Sequence, residues 1–100
     1  MHEGVDVAAR SGTLVHAAEA GRVIYASRLG GYGNVLVVRH GKRYESVYAH
    51  NRRFHVSKGA LVHKGDVIAE VGATGNASAP HLHFEIRRHD DPRDPLLFLP

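Results

Sequence analysis

The 100-residue chain has no cysteine. It therefore forms neither disulfides nor thiolate metal sites, and any metal must be held by histidine, aspartate or glutamate. No apolar run approaches the ~20 residues needed to span a bilayer. No charged start leads into an apolar stretch, so an export signal is expected only upstream of this segment. Dense lysine and arginine clusters with interleaved aromatics are also missing. A net charge of +3 permits contact with an acidic polymer but does not point to nucleic acid. No segment sustains a 3.6-residue apolar period, and only Ala17 to Gly21 could form a helical turn. There is no internal repeat and no low-complexity segment.

What remains is an ordinary globular composition, 43% hydrophobic and 23% charged, at a length that makes one domain with one modest core. Eleven glycines break short runs of Val, Ile, Leu and Tyr, a pattern of strands and turns. Thr13 to Ala17 and Arg22 to Ser27 read as strands, and Gly30 to Asn34 as a flexible turn. No helix follows that turn, so it is not a phosphate loop. Val35-Leu36-Val37-Val38 reads as a central strand. His40-Gly41-Lys42 turns a hairpin into a strand ending at His50, on which Ser46, Tyr48 and His50 are expected to share a face. Asn51 to Gly59 reads as a polar connection and Lys64-Gly65 as a tight hairpin between Leu61-Val62-His63 and Asp66 to Ala69. Arg87 to Pro95 reads as a solvated tail, after which Leu96 to Leu99 packs back on the core. The fold class is all-β: about seven short strands in a single antiparallel sheet-based domain.

Histidine is the unusual residue, with nine in the chain. His81-Leu82-His83-Phe84-Glu85 has strand character. Alternation puts His81 and His83 on one face and Leu82 and Phe84 on the other. The loop Gly72 to Pro80 is built of small residues and can approach a ligand closely. His2 and Asp6 read as members of a glycine-containing loop, and His50 ends another strand. Zinc takes imidazole and carboxylate ligands, and a catalytic site supplies three with one position open. The pKa of a water held there falls to about 7.

These residues resemble the lysostaphin/LytM-type zinc metalloendopeptidases, which cut peptide bonds in bacterial peptidoglycan. The likeness rests on His2-x-x-x-Asp6, Tyr48-x-His50 and His81-x-His83 in order. It extends through Ala17-x-x-x-Gly21, Gly31-Tyr32-Gly33-Asn34, Val62-x-Lys64-Gly65-x-x-Ile68 and Gly72-x-Thr74-Gly75 before Pro80. The resemblance implies a fold related to the biotinyl/lipoyl hybrid motif, with one zinc per chain in a groove. It implies zinc on His2, Asp6 and His83, with His50 and His81 as the catalytic pair. Which of that pair is the base stays open. Tyr32, Asn34, Tyr48 and Thr74 are expected to meet substrate, and specificity is expected from the loops Leu29 to Asn34, Asn51 to Lys58 and Gly72 to Pro80.

On this reading residues 1–100 are a metallopeptidase domain, excised from or at the C-terminal end of a longer protein of the cell envelope. Its partners are peptidoglycan stem peptides or cross-links. The alternative within the same fold is a non-catalytic domain that regulates cell-wall amidases; such members have typically lost metal or catalytic residues, and all five are kept here. The hairpin-like Val62 to Ile68 also resembles biotinyl and lipoyl carriers, yet it has no modified-lysine motif. His16, His40, His55, His63 and His89 match no site position and are expected to be structural or solvated.

Overall fold

The computed structural model describes residues 2–88, with side chains from Gly4 onward. Eight strands follow one another: β1 (His2–Ala8), β2 (Leu14–His16), β3 (Gly21–Arg28), β4 (Asn34–His40), β5 (Tyr44–Phe54), β6 (Leu61–Val62), β7 (Val67–Val71) and β8 (His81–Arg88). The main sheet runs β1-β8-β5-β4-β3-β6, while β7 joins β2 to β5. Every pairing between these strands is antiparallel. Among the described residues no helix is long and apolar enough to cross a membrane.

The all-apolar run of β4 reflects burial on both faces, as expected of a central strand. Leu36 and Val38 enter the main core with Val15, Val23, Tyr48, Ile68 and Val71, against which Leu82 and Phe84 pack. Val35 and Val37 turn the other way and meet Val47 and Ala49, with Tyr25 and Tyr32 alongside. Only the first cluster joins the main sheet to β2 and β7. The opposite face is left to a smaller apolar patch and a set of polar side chains.

Several expectations change. The His2 to Asp6 segment is a strand, not a loop, because β1 pairs in register with β8 along its length. The Lys64-Gly65 turn does not close a hairpin: β6 pairs with β3, whereas β7 pairs with β2 and β5. Its backbone is satisfied elsewhere, Gly65 N donating to Ala17 O at 2.8 Å. Ala17 to Gly21 forms no helical turn, and among the described residues the one short 3-10 turn is Gly30–Tyr32. Asn51 to Phe54 continues β5 rather than opening a loop. Arg87 is a buried strand residue, 3% exposed, not part of a solvated tail. The expected packing of Leu96 to Leu99 and the position of His89 lie outside the described residues.

The 11-residue β5 changes partners midway. Tyr44 to Ala49 pairs with β8, and from Asn51 the strand pairs with β7. His50 stands at the junction, flanked by register shifts in the pairings with β4 and with β7.

Candidate active site

The site grows from the alternation of β8. His81, His83, Glu85 and Arg87 occupy every second position, so all four face away from Leu82 and Phe84. Directly across the ladder, β1 places Asp6 opposite His83 and Gly4 opposite Glu85. The missing side chain at Gly4 matters here, since a Cβ would stand 3.2 Å from both His83 Cε1 and Glu85 Cγ. On the other flank β5 sets Ala49 opposite His83. The ladder thus gives the imidazole of His83 a carboxylate on one side and a small methyl on the other.

His83 Nδ1 lies 2.6 Å from Asp6 Oδ1, and its Nε2 lies 2.6 Å from Glu85 Oε2. Asp6 is held below the usual carboxylate range, first by the hydrogen bond from His83 and further by the charge of His83, His81 and His50. Burial opposes the charged form of His83, but the bonds to Asp6 and Glu85 outweigh it and raise the imidazole's pKa. Glu85 is 4% exposed. Burial pushes its pKa up, and the hydrogen bond to His83 with the Arg87 charge and hydrogen bonds pulls it lower overall. Arg87 Nε donates to Glu85 Oε1 at 2.9 Å and Arg87 Nη2 to Tyr32 Oη at 3.0 Å. Tyr32 Oη in turn donates to Glu85 Oε2 at 3.1 Å. A buried charged pair without such bonds would be destabilising; this one is hydrogen-bonded throughout and fixes the Nε2 side of His83.

Regular alternation would send the His50 side chain into the core beside Tyr48. It does not go there. His50 has φ 66°, the only positive φ among the described non-glycine residues. This left-handed backbone costs of order 1–3 kcal/mol and swings the ring across the sheet. Its ring centre ends 4.7 Å from that of His81 and 6.1 Å from that of His83. The expected shared face of Tyr48 and His50 is therefore wrong, and the strain explains why. Such strain is found where a backbone is overdetermined by its surroundings, frequently at functional sites.

The two remaining imidazoles are oriented by main-chain carbonyls. His50 Nδ1 lies 2.7 Å from Thr74 O, and His81 Nδ1 lies 2.9 Å from Ala79 O. A carbonyl can only accept, so each Nδ1 carries the proton in these contacts. Nε2 is then the nitrogen of each ring able to exchange one. His81 Nε2 is 3.7 Å from Asp6 Oδ1. An open groove of about 380 Å³ passes over this face, lined by Gly31, Tyr32, His50, Asn76 and His83.

Four of the five expected metal and catalytic residues, Asp6, His50, His81 and His83, are thus brought together. The His2 backbone pairs with Arg87, and its side chain lies outside the described atoms. Among the described residues no group of three His, Asp or Glu is arranged to hold a metal. Of the expected substrate contacts, Tyr32 lines the groove. Asn34 contributes its backbone N–H to Thr74 Oγ1 and its carbonyl to Asn51. Tyr48 does not fit the expectation: it is 1% exposed in the main core, with its hydroxyl taken by Ala18 N and Ser46 Oγ. Sequence reasoning missed Glu85 and Arg87. The every-second-residue rule applied to His81 and His83 would have found both.

Four other histidines make contacts elsewhere. His16 meets Gly65 O, His40 bridges Ala20 O and Ser46 Oγ, and His55 meets Glu70. His63 is exposed, with Nδ1 3.7 Å from Asp66.

The antiparallel sheet thus gathers three imidazoles and a carboxylate on one face, and comparison with known proteins gives the class. The sequence profile of Peptidase family M23 matches residues 1–95, and the chain belongs to that family. It is 46% identical over 101 residues to a lipoprotein NlpD/LppB homolog of Pseudomonas aeruginosa, covering 100% of this chain and 34% of that protein. It is 42% identical over 96 residues to the DD-carboxypeptidase/endopeptidase Mpg of Neisseria meningitidis, covering 96% of this chain and 22% of that one. It is 41% identical over 100 residues to the murein hydrolase activator NlpD of Escherichia coli, covering 99% and 26%. The chain therefore spans about a third or less of these curated relatives. Among solved structures, the catalytic domain of the antimicrobial peptidase lysostaphin from Staphylococcus simulans superposes with TM-score 0.85 at 32% identity, covering 98% of this chain and 78% of that one. A zinc-containing peptidase from Vibrio cholerae gives 0.84 at 39% identity, covering 89% and 28%. The fold is the lysostaphin/LytM type.

Proposed function

We propose that residues 1–100 form the catalytic domain of a zinc-dependent endopeptidase that hydrolyses peptide cross-links of bacterial peptidoglycan in the cell envelope. The observation that carries this reading is the meeting of Asp6 Oδ1 and His83 Nδ1 at 2.6 Å, with the His50 and His81 rings beside them. The donor set fits zinc. A carboxylate oxygen and an imidazole nitrogen stand side by side, here bonded to each other, and the other nitrogen of that ring is fixed by Glu85, the outer carboxylate that metal-binding histidines commonly have. His2, on the same strand as Asp6, would complete three protein ligands. Bound there, zinc would supply an acidified water and polarise the scissile carbonyl.

The chain's own residues do the rest. His50 and His81 each offer Nε2 for proton exchange, their Nδ1 protons being engaged by Thr74 O and Ala79 O. One takes the proton of the attacking water on its bare Nε2 and, as the imidazolium so formed, returns it to the leaving amine; the other donates to the developing oxyanion when it too carries a proton on Nε2. The open groove leaves room for a bulky, branched peptide strand. The test is digestion of defined cross-linked muropeptides with products weighed by mass. Cleavage should stop with chelator and return with zinc. Zinc-loaded protein that cleaves neither glycine-bridged nor directly cross-linked substrate would overturn the proposal.

A second reading has one observation in its favour: relatives at 41% identity are named murein hydrolase activators. On that reading the domain binds and stimulates a cell-wall amidase. Amidase stimulation without cross-link cleavage, by protein that binds no zinc, would establish it. The presence of His2, Asp6, His50, His81 and His83 together favours the enzyme.

A further inference from the structure

Two glycine-containing loops interlock behind His50. A Cβ on Gly33 would stand 2.4 Å from the carbonyl carbon of Thr74, and one on Gly75 would stand 2.4 Å from Gly33 N. Both glycines have positive φ, so neither position has room or backbone freedom for a side chain. Asn76 N donates to Gly31 O at 2.9 Å across the same seam.

Thr74 sits at the centre of this lock. Its hydroxyl donates to Asn51 O at 2.8 Å and accepts from Asn34 N at 3.1 Å. Asn51 is fully buried and ties the knot from behind, its Nδ2 donating to Tyr48 O at 2.7 Å and Asn34 O at 3.0 Å. Tyr48 and Asn51, which flank the Ala49-His50 pair along β5, are thereby fixed in place. The Thr74 carbonyl then accepts from His50 Nδ1 at 2.7 Å. One residue thus locks the backbone that carries His50 and also selects which ring nitrogen bears the proton.

We propose that Thr74 is a positioning residue for His50, its hydroxyl pinning the loop so that its carbonyl holds the proton on Nδ1 and leaves Nε2 open for proton transfer. A hydroxyl is needed because it donates and accepts at once; a methyl in its place does neither. The catalytic part of this inference rests on the function proposed above, whereas the tautomer does not.

The decisive measurement is the nitrogen-15 spectrum of the histidine rings in the zinc-loaded protein, read beside muropeptide turnover. In the wild type His50 should show a protonated Nδ1 with slow proton exchange and a bare Nε2. Thr74→Val should give mixed tautomers and lower kcat about 10- to 100-fold with KM little changed, the cost of a misplaced catalytic group. Thr74→Ser should restore both the tautomer and the rate. A wild-type His50 protonated on Nε2 overturns the inference without any variant, even if Thr74→Val fails to fold. So does a Thr74→Val protein that loses thermal stability but keeps the tautomer and kcat. If no substrate is cleaved by the wild type, the spectra still decide the positioning role, and only the proposed function fails.

Discussion

Strands β5 and β8 present two faces made from the same backbone, and the two could hardly differ more. On one, Tyr48, Phe84, Leu82 and Leu36 join the main core, with the Tyr48 and Phe84 rings 5.4 Å apart. On the other, one residue along, stand Ala49, His83, Glu85 and Arg87. The first face is held by burial of apolar area, which is tolerant in direction and intolerant of lost volume. The second is held by directed hydrogen bonds among charged groups, each of which needs its partner. Alternation keeps the two apart, and the one place where it is broken, His50, is where the second face gains a third imidazole.

Substitutions should separate these faces. The largest expected effect is on the polar face. His83→Ala should abolish cross-link cleavage, a loss of more than about 10³-fold if it matches removal of other transition-state-stabilising groups. Calorimetry should meanwhile show a cooperative transition still in place. Leu36→Ala should do the reverse, costing roughly 2–5 kcal/mol in denaturant melts through the cavity it opens, with kcat per folded molecule unchanged. Glu85→Gln should weaken zinc binding about 10- to 100-fold in competition with a chromophoric chelator, as for other outer-shell carboxylates. Retained affinity there would mean that the Glu85–Arg87–Tyr32 set serves the fold alone. Tyr48→Phe should cost about 1–2 kcal/mol through the lost partner of Ala18 N–H and Ser46 and leave KM unmoved. A raised KM would return Tyr48 to the substrate.

The smallest effect lies away from both faces, at Glu70. The hydrogen bond from His55 holds its pKa low, with burial opposing and Arg52 and Arg53 adding to the lowering. A depressed carboxylate stabilises the fold above its unfolded pKa of about 4.3. That contribution is lost as pH falls through the folded value. Glu70→Gln should therefore lower thermal stability slightly at neutral pH, where that contribution is present, and flatten the acid limb below about pH 5, where the wild type loses it. An acid limb identical to that of the wild type would show that the Glu70 cluster contributes nothing.

Much of this was legible in the sequence because period-two patterning is a strong signal where a strand has one wet and one dry face. The pairing of His81 with His83, the opposed Leu82 and Phe84, and the central place of Val35 to Val38 follow from it directly. Strand β1 was not legible: its Val5 and Val7 are 57% and 49% exposed, so no core face marks it, and it exists by pairing with β8. The partners of β6 and β7 were hidden for a related reason, since a Lys-Gly turn fits a hairpin and a crossing equally well. Tyr48 and His50 were misplaced together because no pattern announces a positive φ at a histidine. The hydrogen bonds around it come from Thr74 and Asn34, distant in the chain, acting with the neighbouring Asn51.

That β1 lies against β8 has a consequence for how the molecule is made. Asp6 and His83 are 77 positions apart in the chain. A contact of such span pays its loop-closure entropy only once the intervening strands have assembled, so it belongs to the last events of folding. A half-folded chain then lacks the Asp6–His83 pair, and any ligand gripping both residues acts as a clasp between the first strand and the last. On the function proposed above, hydrolytic capacity would be tied to completion of the fold.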